Sequence, residues 1–340
     1  MKNTQATIRD LALKLNISIS TVSRALRNAP DVNPETKKAV HALAKKLNYE
    51  PNRVAQSLRI KKTNTIGVVV PEIAMHFFSA AISAIQEYTA KHQYSIMICQ
   101  SMELLRMEKS NLQMLVSNRV DGLLISLSSQ TKSAEHLLPL LTKEIPMVLF
   151  DRIDETLDVS KVIVDDEAGA FQAIEYLIQT GCRRIAYIGG PKNLYVSNQR
   201  MKGYLRALRN NNIPVEDELI IHCKDLHTDP AGATQKLLDL PAKPDAIFGM
   251  NDPMAITIIE VVKARGFSIP DEISIVGFSN EPVSKYIQPS LTTVAQPAYT
   301  IGHEAARILM NQINSKEHFT PVTKVLSTEL ILRESTRKLS

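Results

Sequence analysis

The sequence predicts an all-α helix-turn-helix head followed by an α/β body with two doubly wound parallel sheets. Three observations support this fold class. Positive charge is concentrated at the start of the chain, where residues 1–62 hold 13 Lys and Arg against 4 Asp and Glu. The same region contains three short amphipathic helical patterns. From Thr65 onward, buried strand patterns alternate with amphipathic helices, and the length of this region favours two sheets rather than one.

The three helices of the head are predicted from apolar spacing and capping residues. The first helix follows an i, i+3, i+4, i+7 stripe made of Ile8, Leu11, Ala12 and Leu15. Thr7 is its candidate N-cap, and Asp10 approximates a capping box. Ser18 can cap a second helix that begins at Ile19. A third helix begins at Asn33-Pro34, a cap followed by proline at the first helical position.

The second helix carries the residue types that contact DNA. Its predicted buried face consists of Val22, Ala25 and Leu26. Its outward side chains are short hydroxyls and arginines, namely Ser20, Thr21, Ser23, Arg24 and Arg27. These groups suit phosphate contacts and hydrogen bonds to base edges in a major groove. An ordinary three-helix bundle with a polar face is the alternative, and the basic charge and small outward side chains favour DNA.

A fourth, conditional helix is predicted at residues 52–59. Pro51 presets its first turn, and Val54, Ala55 and Leu58 line one side of it. Eight residues are too few for a stable helix alone, so we expect it to form only when another surface covers its apolar side.

The body is predicted from short apolar runs that read as buried parallel strands. These runs are Ile66–Val70, Gly122–Ile125, Met147–Phe150, Arg184–Ile188, Ala246–Phe248 and Ile273–Val276. The helical stretches between them include Ser79–Lys91, Gly169–Thr180, Arg200–Asn210 and Pro253–Arg265. In such folds, ligands bind at the carboxyl ends of the strands, in the crevice between lobes.

No motif for catalysis, cofactor binding or metal binding stands out. Gly189-Gly190-Pro191 follows a strand but fits neither a dinucleotide fingerprint nor a P-loop. His222, Cys223 and His227 do not form a recognised ligand set, so an incidental polar edge is the preferred interpretation over a metal site. We therefore expect a protein that is not an enzyme, with no cofactor and no metal.

The chain is expected in the cytoplasm, in association with the nucleoid. It has no apolar run of about 18 residues, so we expect no membrane span. Residues 1–10 are polar and lack the apolar core of a signal peptide. Its three cysteines, Cys99, Cys182 and Cys223, are far apart and odd in number, which favours free thiols in a reducing compartment.

The head resembles the lactose-repressor/galactose-repressor (LacI/GalR) family. The matching motifs are Thr7-Ile8-Arg9-Asp10-Leu11-Ala12, Ser18 to Leu26, Asn48-Tyr49-Glu50-Pro51-Asn52 and Ala55-Gln56-Ser57-Leu58. This resemblance implies that Ile19, Ser20 and Arg24 read bases, whereas Thr21, Ser23 and Asn52 contact the DNA backbone. Thr7, Arg53 and Ala55 complete the predicted contacts. Residues 52–59 would be the family's hinge helix, with Leu58 as a minor-groove wedge and Arg59 beside it.

The body resembles the family's effector domain, which is similar to periplasmic sugar-binding proteins. Matching segments include Ile66–Pro71, Asp151-Arg152, Arg184–Gly190, Arg200–Tyr204 and Pro289–Val294. The resemblance implies a DNA-binding domain at 1–48, a hinge and linker at 49–63, and an effector-binding and dimerisation domain at 64–340. One lobe would hold about 64–161 plus 293–322, and the other about 162–292 plus 323–340.

The same resemblance predicts the effector site. Arg200 matches the family arginine that binds ligand hydroxyls or a carboxylate, and Phe77 and Phe78 stand where aromatic residues pack on the ligand, although one of them belongs to the core. Asp151 and Asn251 end strands, either as ligand acceptors or as helix caps. His227 or its neighbour Leu226 falls where a second aromatic residue is common. Ser279 replaces the family's usual aspartate, which weakens any inference about ligand identity.

These observations predict a ligand-responsive DNA-binding transcription regulator, a repressor of carbohydrate-utilisation genes. It would bind a pseudo-palindromic operator in double-stranded DNA as a homodimer and respond to a sugar or sugar derivative, with no membrane partner. A sugar-binding transport or chemosensory protein is the alternative, because the body alone would fit it. No leucine heptads follow the last strand pattern, which favours a dimer over a tetramer.

Overall fold

The structure, a computed structural model, describes residues 6–49, 62–224, 229–315 and 319–339. The chain divides into two units, Met1–Thr63 and Asn64–Ser340. The fold is that predicted from the sequence, a helical head and an α/β body with two mostly parallel sheets. Asn52, Arg53, Ala55, Leu58, Arg59 and His227 lie outside the described residues.

The head contains three helices: α1 (Ile8–Leu15), α2 (Ile19–Leu26) and α3 (Pro34–Lys46). The predicted caps are confirmed. Thr7 and Asp10 form a reciprocal capping box, Ser18 accepts a hydrogen bond from the Thr21 amide at 3.1 Å, and Asn33 accepts one from the Glu35 amide at 2.8 Å. A small core holds the helices together, and its fully buried members are Leu11, Val22, Ala25 and Val40.

The body contains twelve strands and eight α-helices within the described residues. The strands are β1 (Thr65–Val70), β2 (Ser95–Gln100), β3 (Gly122–Ile125), β4 (Met147–Phe150), β5 (Ser160–Val164), β6 (Ile185–Gly189), β7 (Ile220–His222), β8 (Ala246–Gly249), β9 (Ser274–Ser279), β10 (Thr292–Ala295), β11 (Thr323–Leu326) and β12 (Glu329–Ile331). The helices are α4 (His76–Lys91), α5 (Leu105–Ser117), α6 (Leu138–Thr142), α7 (Asp166–Gln179), α8 (Tyr195–Asn210), α9 (Asp229–Leu238), α10 (Asp252–Ala264) and α11 (Ala298–Asn314).

Two six-stranded sheets form the two lobes of the body. Their strand orders are β11-β5-β4-β3-β1-β2 and β12-β10-β9-β8-β6-β7. Every pairing is parallel except that of β10 with β12, which is antiparallel. The central strands are fully buried, as expected for parallel sheets covered by helices on both faces. The six predicted strands coincide with β1, β3, β4, β6, β8 and β9.

The chain crosses between the two sheets three times, after β5, β10 and β11. Each crossing lies three or four residues beyond the predicted lobe boundary, because β5 and β11 belong to the first sheet and β10 to the second. The predicted boundaries, given as about 161, 292 and 322, stay approximate predictions. Hydrogen bonding to a neighbouring strand decides sheet membership, and the sequence of one strand does not show its neighbour.

One glycine in each lobe allows two helices to approach closely. A Cβ atom at Gly302 on α11 would lie well inside van der Waals contact with the carbonyl oxygen of Ala81 on α4. A Cβ atom at Gly203 on α8 would meet the carbonyl oxygen of Glu167 on α7 in the same way. No α-helix among the described residues is both long and apolar enough to cross a membrane.

Candidate functional site

A small cavity lies between the lobes at the carboxyl ends of both sheets. Its lining comes from the segments after β1, β4, β8 and β10, the end of β9 and the helix α8: Met75, Phe77, Phe78, Asp151, Arg152, Val196, Arg200, Met250, Asn251, Ser279 and Gln296. The structure thus brings together every described residue of the predicted effector set. The cavity volume is about 20 Å³, room for little more than one water molecule.

Arg200 is buried in this cavity and already has a partner. Its Nε donates to Asp166 at 2.8 Å, and its Nη1 donates to the carbonyl oxygen of Met250 at 2.6 Å. The guanidinium lies 3.7 Å from the ring centroid of Phe278, which is a close cation–π contact. Burial raises the pKa of Asp166, and the attraction of Arg200 opposes that rise. The family resemblance predicts that the positive charge of Arg200 binds the ligand. In this structure that charge is balanced by the carboxylate of Asp166.

Arg152 forms a second buried ion pair that the sequence analysis did not include in the site. Its Nη1 donates to both carboxylate oxygens of Glu103, at 2.6 and 2.8 Å. Burial of Glu103 would raise its pKa, but Arg152 and a hydrogen bond from the Ser129 amide hold that pKa below its usual value. The guanidinium of Arg152 also stands 5.6 Å from the ring centroid of Phe78.

Asp151 has no ion pair of comparable quality. It adopts a left-handed backbone conformation with φ of 60°, and its nearest guanidinium atom, Arg152 Nε, is 3.8 Å from Oδ2. Burial raises the pKa of Asp151 to about 6, and the nearby Asp166 adds to the rise. Arg152, Arg200 and a hydrogen bond from the side chain of Gln296 oppose it. A left-handed non-glycine residue and a buried acid with a raised pKa are both features that recur at functional sites.

Asn251 acts as a helix cap, one of the two roles predicted for it, and it also lines the cavity. Its Oδ1 accepts a hydrogen bond from the Met254 amide at 2.9 Å. The next residue, Asp252, accepts hydrogen bonds from the Glu281 amide at 2.8 Å and from the Ser284 hydroxyl at 2.6 Å. These bonds hold the segment that follows Ser279, whose φ of 119° is unusual for a residue with a side chain.

Phe77 and Phe78 are both buried and both line the cavity. Their rings form an edge-to-face pair with centroids 5.1 Å apart. Phe78 is the more deeply buried ring and packs beneath Arg152, as expected of the core member of the pair.

Hydrogen bonds between the lobes hold the cavity closed. The Asn193 side chain of the second lobe donates to the carbonyl oxygens of Ser129 and Thr131 at 2.8 and 3.3 Å. The His76 amide of the first lobe donates to Glu281 at 3.3 Å. A wider cleft of about 450 Å³ lies beside them, between residues 131–133 and 153–156 of the first lobe and residues 193–205 of the second.

His222 takes part in no metal cluster within the part of the chain that the structure describes. Its Nδ1 lies 3.1 Å from the carbonyl oxygen of Gly190, at the edge strand β7. The three cysteines are buried, and no disulfide joins them.

The predicted DNA-contacting residues of the head lie at the start of α1 and along α2. Thr7, Ile19, Ser20 and Arg24 are exposed, whereas Thr21 and Ser23 are half-buried. The Ser18 hydroxyl bonds the hydroxyls of Ser20 and Thr21 at 2.7 and 2.8 Å. Arg24 forms an exposed ion pair with Asp31, so it must leave this partner to contact a base.

Comparison with known proteins assigns the family. The model of "Bacterial regulatory proteins, lacI family" matches residues 7–52, and that of a "Periplasmic binding protein-like domain" matches residues 174–336. The HTH-type transcriptional repressor CytR of Escherichia coli K12 is 34% identical over 342 residues, covering 99% of this chain and 98% of that protein. The chain belongs to the lacI family of bacterial regulatory proteins. It is a DNA-binding regulator of transcription, and its helix-turn-helix head is the DNA-binding part.

Solved structures of transcription regulators match the chain over nearly its full length. The transcriptional regulator CelR in complex with cellobiose is 28% identical, with a TM-score of 0.73, and covers 97% of this chain and 99% of that one. The lac repressor dimer bound to operator and an anti-inducer has a TM-score of 0.87, covering 98% and 100%. At 24% identity the latter match shows a shared fold.

The residues missed from the lacI-family site carry signals that could have found them. Arg152 directly follows Asp151 after the buried strand β4, and Asp166 follows β5 at the same edge of the sheet. Polar residues at the carboxyl ends of parallel strands face the crevice where ligands bind. Gln296 follows β10 in the same way. Of these three strands, only β4 was among the predicted runs.

Proposed function

We propose that the protein is a homodimeric repressor of carbohydrate-utilisation genes that acts in the cytoplasm and has no catalytic role. It would bind a pseudo-palindromic operator, and a small molecule in the cavity between the lobes would set its operator affinity. The observation that carries this proposal is the convergence of Phe77, Phe78, Asp151, Arg200 and Asn251 on one buried cavity. The cellobiose complex of CelR supports a sugar as the effector.

The tightness of the cavity supports a mechanism in which the lobes separate to admit the effector. A volume of about 20 Å³ cannot hold a sugar, since small-molecule pockets span about 300–1,000 Å³. Opening would break the bonds from Asn193 and His76 that join the lobes. The effector changes operator affinity only if it binds the open and closed arrangements with different affinities.

Substitutions on α2 test the DNA-binding role of the head. We expect Arg24→Ala to weaken operator binding by about 1–3 kcal/mol, roughly 5- to 150-fold, because Arg24 would lose its contact with a base. Binding is measured by fluorescence anisotropy with operator and non-operator duplexes at fixed salt. Asp31→Asn is the matched control, because it breaks the same ion pair without removing the arginine. Asp31→Asn should retain or increase operator affinity, and a loss equal to that of Arg24→Ala would contradict base reading by Arg24.

Leu58→Ala tests the proposed wedge, which lies outside the described residues. Loss of an inserted leucine should reduce specific operator affinity at least about tenfold, since the bent DNA would lose its apolar support. Affinity for non-operator DNA and for the effector should stay unchanged, which calorimetry and anisotropy can measure. Full operator affinity in Leu58→Ala would refute the wedge.

A further inference from the structure

Residues 128–131, the latch loop, lie shortly after β3 and carry the two carbonyl groups that Asn193 binds across the lobes. The Asn193 side chain, between β6 and α8 of the second lobe, donates to Ser129 and Thr131 at 2.8 and 3.3 Å. Such bonds weaken steeply when donor and acceptor lose their alignment. The position of the latch loop within the first lobe therefore decides whether these bonds between the lobes form.

Two carboxylates of the first lobe hold the latch loop. Glu108, fully buried on α5, accepts a hydrogen bond from the Ser128 amide at 2.6 Å and another from the Thr131 hydroxyl at 2.9 Å. Glu103, in the segment between β2 and α5, accepts one from the Ser129 amide at 2.7 Å. Hydrogen bonds to charged acceptors are the stronger ones in proteins, so the two carboxylates fix where the carbonyl groups of the loop point.

Glu103 also contacts a residue of the cavity between the lobes. Its carboxylate accepts two hydrogen bonds from Arg152, at 2.6 and 2.8 Å, and Arg152 lines that cavity. The side chains of Arg152 and Glu103 are 5% and 19% exposed, so water weakens their attraction little. One carboxylate thus holds a cavity residue and the latch loop at the same time.

The backbone at Glu103 is unusual as well. Met102 and Glu103 both adopt the left-handed conformation, with φ of 54° and 59°. Residues with a side chain disfavour this conformation, and it recurs at functional sites where surrounding contacts enforce it. The bonds of Glu103 to Arg152 and to Ser129 are contacts of this kind.

We infer that Glu103 is a positioning residue that links Arg152 in the cavity to the bonds between the lobes. While Arg152 holds its carboxylate, Glu103 stays at the Ser129 amide and the latch loop stays aligned with Asn193. A ligand group that draws Arg152 away would release Glu103, loosen the latch loop and favour separation of the lobes. The inference rests on the proposed function only for its output, a change in operator affinity, because the link itself is measurable without DNA or effector.

Lobe separation is measured on the full chain as the distance between two spin labels. Lys132 and Lys202 are exposed and line opposite sides of the wider cleft, so Lys132→Cys and Lys202→Cys provide the labelling sites. The native cysteines are buried and do not compete for the label. Double electron–electron resonance then gives the ratio of open to closed molecules for each variant.

Asn193→Ala removes the bonds between the lobes directly. It should raise the ratio of open to closed molecules about tenfold, the effect of losing one or two hydrogen bonds. Glu103→Ala should raise the ratio by a similar factor, although Glu103 makes these bonds within the first lobe. The two substitutions together should open the lobes no further than either alone, because both act on the same bonds. An unchanged ratio in either single variant, or factors that multiply in the double variant, would overturn the inference.

Glu103→Gln tests the ion pair with Arg152. The new side chain can still accept from the Ser129 amide, but the charge that attracts Arg152 is lost. We expect the ratio of open to closed molecules to rise at least about threefold. An unchanged ratio would show that the latch loop does not depend on Arg152, and this variant decides the question if Glu103→Ala fails to fold.

Glu155→Gln is the matched control for the loss of charge. Glu155 is exposed in the wider cleft, and among the described residues its side chain makes no bond to Arg152 or to the latch loop. The ratio of open to closed molecules should not change. Opening equal to that of Glu103→Gln would attribute the effect to charge in the cleft and would contradict the link.

Operator binding separates this inference from the proposed function. Asn193→Ala and Glu103→Gln should shift operator affinity in the same direction, as measured by fluorescence anisotropy at fixed salt. Shifts in opposite directions would overturn the inference. If both variants open the lobes and operator affinity stays unchanged, the link stands and the proposed control of operator affinity by the lobes fails.

Discussion

Replacing Arg200 by alanine should lower the free energy of unfolding of the body by about 3–5 kcal/mol and abolish effector binding. The side chain of Asp166 is only 1% exposed, and removal of Arg200 leaves its charge buried without a partner. The contact with Phe278 is lost as well. Urea denaturation of the full chain measures the stability, and operator binding by the head shows that its fold is retained.

A double variant separates the ion pair from the other contacts of Arg200. Arg200→Ala combined with Asp166→Asn should recover part of the lost stability, because no buried charge remains. The deficit of Arg200→Ala should also shrink as the pH falls, since the pKa of Asp166 is already raised and protonation removes the unpaired charge. Strict additivity of the two substitutions would contradict a buried ion pair.

Adding one methyl group at either helix-packing glycine should be as damaging. Gly302→Ala and Gly203→Ala each place a Cβ atom against a backbone carbonyl that cannot rotate away. We expect each to cost at least about 3 kcal/mol, the upper end of the usual cost of overpacking. Thermal unfolding of the full chain measures the effect.

Gly232→Ala is the matched control for these variants. Gly232 lies on α9, and a Cβ atom there would meet nothing within 4 Å. This change should leave the stability unaltered or raise it by up to about 1 kcal/mol, because alanine favours a helix. If all three substitutions lowered the stability by a similar amount, the close approach of the paired helices would not be the cause of the loss.

Local patterns were enough to predict most of the secondary structure. Helix caps and short buried strands each depend on a few adjacent residues, so the sequence alone predicts them. Examples are the caps Thr7, Ser18 and Asn33 and the strands β3 and β4. The lobe boundaries could be predicted only approximately, because sheet membership depends on distant strands, as for β11, which pairs with β5. The edge strand β2 was not predicted, since its burial alternates irregularly.

The site was predictable in position but not in its electrostatics. The resemblance selected Arg200 and Asp151, and the structure places both at one cavity. Nothing in the sequence pairs Arg200 with Asp166, 34 positions away, and that pairing decides whether the arginine offers a free charge. Charge balance in a buried site depends on three-dimensional contacts, which the sequence of any one segment does not show.

The three crossings between the lobes fix the order in which the protein can be completed during synthesis. The first lobe needs α11 against α4, and these helices begin at Ala298 and His76. At about 5–20 residues per second, the ribosome takes roughly 10–45 s to travel between them. The core of the head consists only of side chains from residues 8–49. The head can therefore fold as soon as this segment has emerged from the ribosome. Each newly made chain therefore carries a finished DNA-binding head for tens of seconds before the sensor that would control it exists.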